Sequence, residues 1–214
     1  MAAIRLISGD LPWSDNTDWM MPADDHKSEH WLHVAPQDVD FMIPLILEHV
    51  KDTKCCIQAG GAVGVWPTRL AQYFDSVISF EPEPVNYKCL EWNTRGVDNL
   101  KCVNAALGVS GFVHMDRTEG EKHNCGAFYV VEGGDIPVMS IDGLDINPSL
   151  IYLDIEGSEY NALLGAVETI KRCHPVIGLE CKGFFNRYGG DPVDMLKDLG
   201  YKKVTKYKND LLLV

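Results

Sequence analysis

Short apolar runs separated by helix-length segments constrain this chain more than any other feature. Residues 55–59 (CCIQA), 76–80 (SVISF), 100–107 (LKCVNAAL), 150–155 (LIYLDI) and 174–180 (HPVIGLE) are each too short for an ordinary helix and largely apolar. Apolarity without strict alternation marks strands buried on both faces. Residues 65–73, 83–96 and 158–172 lie between such runs and read as helices. In the last of these, Tyr160, Leu163, Leu164, Val167 and Ile170 fall at helical spacing. Strand and helix in repetition predict βαβ units and a parallel sheet with covered faces. Local punctuation agrees. Ser158 stands where an N-cap belongs, and Gly96 where a helix should stop. Pro192 and Gly200 bracket a further helix over 191–200.

Three stretches depart from this rhythm. Residues 108–140 contain GFVHMDRT, GAFYVVEGG and IPVMSID, short extended pieces joined by glycine-rich turns, which predict a β excursion at the rim of the sheet. The chain closes on YKKVTKY and LLLV with Lys208, Asn209 and Asp210 between them, a hairpin that makes at least one strand antiparallel. Residues 1–36 read as an irregular arm or lid, with Pro12, Pro22 and Pro36 and Trp13, Trp19 and Trp31. Residues 38–51 read as a helix kinked or restarted near Pro44. The expected organisation is one domain over 37–214 carrying that arm.

With 214 residues the chain is long enough for one well-filled core. A net charge of −12 opposes general attraction to phosphate backbones or anionic membranes, so neither nucleic acid nor membrane is an expected partner. The lysines of YKKVTKYK fit a solvated strand face. No run reaches the roughly 18 apolar residues of a membrane span, and MAAIRLISGDLPW lacks the long apolar core of a signal peptide. The seven cysteines are scattered without a CxxC pair, which fits buried thiols in a reducing cytosol better than a disulfide framework or zinc site. A cytoplasmic protein is expected, with homo-oligomerisation left open.

In an open α/β sheet, ligands bind beyond the carboxyl ends of the strands, where the strand order reverses. The first βα turn brings Gly60, Gly61 and Gly64 there, where glycine lets backbone approach a ligand closely. A dinucleotide fingerprint needs G-x-G-x-x-G, and Ala62 and Val65 stand at its second and third glycines, so the NAD signal is poor. Glu81 ends the second strand, about 20 residues on, where an acidic side chain accepts bonds from ribose hydroxyls. Pro82 would hold the turn beside it. Asn104, Ala105 and Ala106, at the end of the third strand, are positioned to line an adenine.

Taken in order, CIQAGGAVGVWPTRLAQYFDSVISFEPEPVNYKCLEWN, CVNAALGVSG, IPVMSIDGL and IYLDIEGSEYNALLGAVETIKRCHPVIGLE resemble the FkbM-type S-adenosylmethionine-dependent methyltransferases over roughly residues 55–182. The resemblance implies a class I, Rossmann-like α/β fold. Its mostly parallel seven-stranded sheet ends in an antiparallel hairpin and carries helices on both faces. It also implies S-adenosylmethionine as cofactor and a hydroxyl of a sugar or small metabolite as methyl acceptor. Gly60 and Gly64 match the cofactor loop, Glu81 the ribose-binding acid, and Asp154, Glu156 and Glu159 the DxEGxE signature. Gln58 and Ala62 stand where the family usually has Asp and Asn. A member without turnover, serving only to bind, is therefore a second reading, and an NAD-linked oxidoreductase a third.

An alcohol acceptor must lose a proton, and a positioned base contributes roughly 10²–10⁴-fold. Asp154 and Glu156, two apart at a strand end, share a face, and Glu180 ends the next apolar run. Together they are the candidate catalytic carboxylates. A Mg²⁺ ion held by Asp154, Glu156 and Glu180 is the less favoured alternative. Glu159 suits the positive end of the following helix. His114 and His123 lie in the excursion and read as solvated loop residues. His26, His30 and His33 fall near helical spacing without a second metal signal. The tryptophans, Trp66 among them, read as packing groups.

Overall fold

Strands apolar on both faces need cover on both, and the helices between them supply it. The computed structural model describes residues 4–8, 18–181 and 189–214, with the side chains of 8, 28–31 and 33–36 outside the description. An antiparallel ribbon, β1 (Ile4–Ser8) with β2 (Asp18–Pro22), leads into α1 (Ser28–His49). Then come β3 (Cys56–Ala59), α2 (Val65–Leu70), β4 (Val77–Phe80), α3 (Pro84–Asn93) and β5 (Leu100–Val103). The excursion follows as β6 (Ala106–Leu107), β7 (Phe112–Arg117), β8 (Phe128–Glu132) and β9 (Ile136–Met139). The chain resumes with β10 (Leu150–Leu153), α4 (Glu159–Leu164), α5 (Val167–Cys173), β11 (Val176–Glu180) and α6 (Pro192–Asp198), and ends on β12 (Lys203–Tyr207) and β13 (Asp210–Leu213).

Among the described residues the main sheet has seven strands in the order β12-β13-β11-β10-β3-β4-β5. β13 alone runs against the rest, pairing antiparallel with both β11 and β12. Side-chain alternation divides the core in two. Ile57, Ile151, Leu153, Ile177 and Leu213 pack on one face with Leu163, Ile170 and Leu196 from α4, α5 and α6. Cys56, Leu150, Tyr152, Val176 and Leu212 pack on the other with Val39, Met42, Ile46 and Leu70 from α1 and α2. The excursion forms its own four-stranded sheet, β6-β9-β7-β8.

Three local expectations need correction. The helix expected at 38–51 begins at Ser28 and runs through Pro36 and Pro44, so residues 28–36 are helical rather than irregular. Pro44 sits on the exposed side of α1. Pro12 and Trp13, and the side chains of His30, Trp31 and His33, lie outside the described residues. The run 100–107 is two strands, because the chain turns at Asn104 and Ala105 and β6 joins β9 instead of the main sheet. The helix expected over 158–172 breaks into α4 and α5. Gly165 packs against the Gly108 carbonyl, and a Cβ there would lie 2.0 Å from that oxygen. No helix among the described residues is long and apolar enough to cross a membrane.

Asn93 ties the N-terminal ribbon to the core. Fully buried, it accepts from the Met20 N–H through Oδ1 (2.6 Å) and donates through Nδ2 to the carbonyls of Met20 (2.9 Å) and Val63 (2.8 Å). Trp19 and Met21 thereby pack with Val63, Cys89 and Cys125. Asn93→Ala leaves those backbone groups without their partner. It should cost about 2–3 kcal/mol, seen in urea as a lower midpoint at unchanged slope.

Candidate functional site

β3 and β10 lie side by side at the centre of the sheet. From β3 the chain moves outward to β4 and β5, then returns to build β10 and β11 on the other side. The order therefore reverses between β3 and β10, which opens a crevice beyond their carboxyl ends. Here Gly60, at φ +83°, passes so close to β10 that a Cβ would lie 1.8 Å from the Asp154 carbonyl oxygen. Only glycine fits that passage. Ala62 follows at φ +44°, a left-handed turn costly for a residue with a Cβ.

Glu81, just past β4, holds this turn. Only 5% exposed, it accepts from the Ala62 N–H through Oε2 and from the Glu83 N–H through Oε1, both at 2.8 Å. Burial outweighs those two donors and pushes its carboxyl up to about 8. Behind the loop, Gln58 is fully buried. Its Oε1 accepts from the Ser79 hydroxyl (2.6 Å), and its Nε2 donates to the carbonyls of Ala59 and Gly60. Asn104 donates through Nδ2 to the carbonyls of Glu81 (2.9 Å) and Pro82 (3.0 Å), fixing the segment after β4 that carries Glu81.

Two cavities meet at this edge. A narrow slot runs between Phe80, Ala105 and Leu107 on the sheet side and Met115 and Phe128 from the excursion, with Glu81 and Pro82 lining it. A wider cleft of about 420 Å³ has Leu32, Val63 and Trp66 among its apolar lining, and Glu180, Lys208 and Asp210 among its polar lining. Gly60, Ala62, Cys125, Gly126, Asp154 and Glu156 line both. Cys125 is brought over the crevice by two bonds: its N–H donates to Asp25 Oδ2 (2.5 Å), and its carbonyl accepts from Asn86 Nδ2 (2.7 Å).

Asp154 follows β10, and Glu156 sits in a left-handed turn at φ +52°. Glu180 ends β11, the parallel neighbour of β10. One carboxylate oxygen from each of the three lies within 4.8 Å of the others. Such a group can accept a proton, and its oxygens also suit a divalent cation. Glu159 faces inward instead, its Oε1 accepting from the N–H groups of Ile155 (3.1 Å) and Gly157 (3.3 Å). Burial raises it to about 7. It stitches the turn together rather than only facing a helix end.

Of the residues picked out by sequence, Gly60, Gly61, Glu81, Pro82, Ala105, Asp154, Glu156 and Glu180 line one or both cavities. Gln58, Gly64 and Asn104 line neither and belong to the frame of the loop. Ser158 occupies the N-cap position of α4 but makes no capping bond, since its backbone (ψ 5°) is not extended as a capping residue's is. His114 and His123 each bond a carbonyl, of Gly133 and Asp24, and line neither cavity. Met115, Cys125, Gly126 and Phe128 were not legible as site residues. They come from the excursion, and only its folding back over the sheet puts them there.

A seven-stranded sheet in this order, with one antiparallel strand beside its edge and a glycine turn at its reversal point, is the class I methyltransferase fold. The FkbM methyltransferase domain matches residues 69–203, more than half of the chain, and the chain belongs to that family. Among solved structures, an FkbM methyltransferase from Methylobacillus flagellatus KT superposes with a TM-score of 0.50 at 21% identity, over 76% of this chain and 43% of that one. A methyltransferase from Geobacter sulfurreducens (TM-score 0.49, 11% identity, 83% and 76%) is similar in outline. So is precorrin-6y C5,15-methyltransferase from Geobacter metallireducens GS-15 (0.45, 14%, 79% and 85%). This chain thus spans under half the length of the FkbM protein it matches. No curated protein matches its sequence. Family and fold together imply binding of S-adenosylmethionine.

Glu81 and Glu159 hold their protons more tightly folded than unfolded, where 4.5 is their ordinary value. Folding therefore takes up protons, and stability should fall as pH rises from about 4.5 to about 8. Urea unfolding across that range checks this, and Glu81→Gln should remove the part of the slope that reaches pH 8.

Proposed function

We propose that this protein transfers a methyl group from S-adenosylmethionine to a hydroxyl of a sugar or other small metabolite. The observation that carries this reading is the meeting of slot and cleft along Gly60, Ala62, Asp154 and Glu156, with Glu81 lining the slot and the carboxylates lining the cleft. The slot suits an adenosine: apolar walls for the ring, and a carboxyl with acceptor capacity left for ribose hydroxyls. Gln58 stands where the family usually has an acid, yet lines neither cavity. The substitution therefore does not remove a group that faces the ligand.

S-adenosylmethionine supplies a methyl group on a sulfonium, already activated toward displacement. What remains for the protein is alignment and proton removal. The cleft orients the acceptor, with Trp66, Leu32 and Val63 against its apolar parts. Asp154 or Glu156 takes the proton of the attacking hydroxyl, the two being alternatives within one cluster. Cys125 and Gly126, shared by both cavities, cover the junction and keep water out.

Calorimetric titration with S-adenosylhomocysteine should show saturable binding, weakened about 1–3 kcal/mol by Glu81→Ala. If ribose hydroxyls bind the ionised carboxylate, affinity should rise as pH climbs from 7 to 9, by about tenfold for a group titrating near 8. Glu156→Gln and Asp154→Asn should keep that binding while one of them loses about 10²–10⁴-fold in methyl transfer to a hydroxyl acceptor. Binding without transfer to any acceptor in a radiolabel screen would favour the non-catalytic reading instead.

A further inference from the structure

Ser158 presents an unexplained hydroxyl. It lies between Gly157, at φ +103°, and Glu159, in the turn that carries Asp154 and Glu156. The residue is 2% exposed, and its Oγ has no hydrogen-bond partner among the described residues. A buried polar atom without a partner forfeits a hydrogen bond that water would supply in the unfolded chain. Its position predicts a capping bond to the start of α4, but none is made. The free N–H groups of its own turn are served by Glu159, which binds those of Ile155 and Gly157. None of the described residues uses the hydroxyl.

Its placement relative to the two cavities is informative. Asp154 and Glu156 line both slot and cleft, whereas Ser158 lines the slot alone. There it joins the apolar side chains of Phe80, Leu107, Met115 and Phe128 as well as the carboxyls of Glu81, Asp154 and Glu156, and stands apart from Glu180 and Asp210, which line the cleft alone. A hydroxyl both donates and accepts. Beside the rings of Phe80 and Phe128 it fits the edge of a nitrogen heterocycle, which offers donor and acceptor sites in one plane. A hydroxyl-bearing acceptor would instead be met by the carboxylates of the cleft.

We propose that Ser158 Oγ is a ligand-binding group that hydrogen-bonds the edge of the adenine ring in the slot. The assignment rests on the S-adenosylmethionine reading above and deepens it by naming the residue that recognises the base. The backbone of Ser158 keeps the hydroxyl from capping α4, which leaves it for the ligand, and the unliganded protein bears the cost.

The test is Ser158→Ala, with two probes titrated calorimetrically: S-adenosylhomocysteine, and 5′-methylthioadenosine, which lacks the amino-acid tail. The expected result has opposite signs in the two states. Unliganded Ser158→Ala should melt at the wild-type temperature or about 1–4 °C above it, since an unsatisfied buried group is removed. Its affinity for both probes should fall about 3- to 10-fold. Unchanged affinity for both probes overturns the proposal. Loss for S-adenosylhomocysteine alone also overturns it, because the hydroxyl would then face the tail. A clearly lower melting temperature of the unliganded variant overturns it too, by revealing a structural partner. Ser158→Thr, which keeps the hydroxyl, should retain more affinity than Ser158→Ala if it folds with the wild-type melting temperature. A wild-type protein that binds neither probe contradicts the proposed function itself, a result distinct from tight wild-type binding that Ser158→Ala leaves intact.

Discussion

The carboxyl of Glu81, bonded to the N–H groups of Ala62 and Glu83, is the constraint on which the rest of the site depends. A left-handed alanine costs about 1–2 kcal/mol, and the two hydrogen bonds to the buried carboxyl return about 0.5–1.5 kcal/mol each. Together the bonds offset the strain and hold the turn after β3 in one path. That path sends Gly60 past the Asp154 carbonyl with no room for a side chain. Two strands whose ends are locked together in this way present one continuous edge, and both cavities are built on it. Burial keeps the Glu81 carboxyl at about 8, so the group that fixes the loop is also poised to change charge as surroundings change.

The backbone of this design is legible in the sequence because it follows from period and spacing. Continuous apolar runs give the buried strands, and the few residues between YKKVTKY and LLLV give the hairpin. The βα spacing puts Glu81 at the strand end beside the glycine turn. What escaped was decided by tertiary contact. Pro36 reads as part of an irregular arm and Pro44 as a kink or restart, but α1 runs through both. Gly165 looks like an interior helix residue until the Gly108 carbonyl packs onto it. Gln58 read as a ligand position, although a polar residue inside a strand covered on both faces must satisfy itself locally, as its bonds to Ser79, Ala59 and Gly60 do. Met115 and Phe128 carry no local signal at all, since their role depends on a long-range fold-back.

That fold-back links the N-terminal segment to the chemistry. Asp25 accepts the Cys125 N–H, the N–H groups of His26 and Lys27 donate to the His123 carbonyl, and Arg117 pairs with Asp24. The exposed ion pairs contribute little, but Asp25 is buried and its bond is charge-assisted. The segment expected to be an arm or lid is thus bonded to the loop that roofs slot and cleft, while Asn93 bonds its strand to the core. The roof rests on a chain segment far from it in sequence, and the floor rests on Glu81.

The most direct measurement is a crystal structure of the full chain grown with S-adenosylhomocysteine. The account predicts density for the adenosine inside the slot, the ribose against the Glu81 carboxyl, and the sulfur turned toward the wall that Asp154 and Glu156 share with the cleft. A nucleoside seated elsewhere, or a Glu81 side chain swung away from Ala62 and from the ligand, would contradict it.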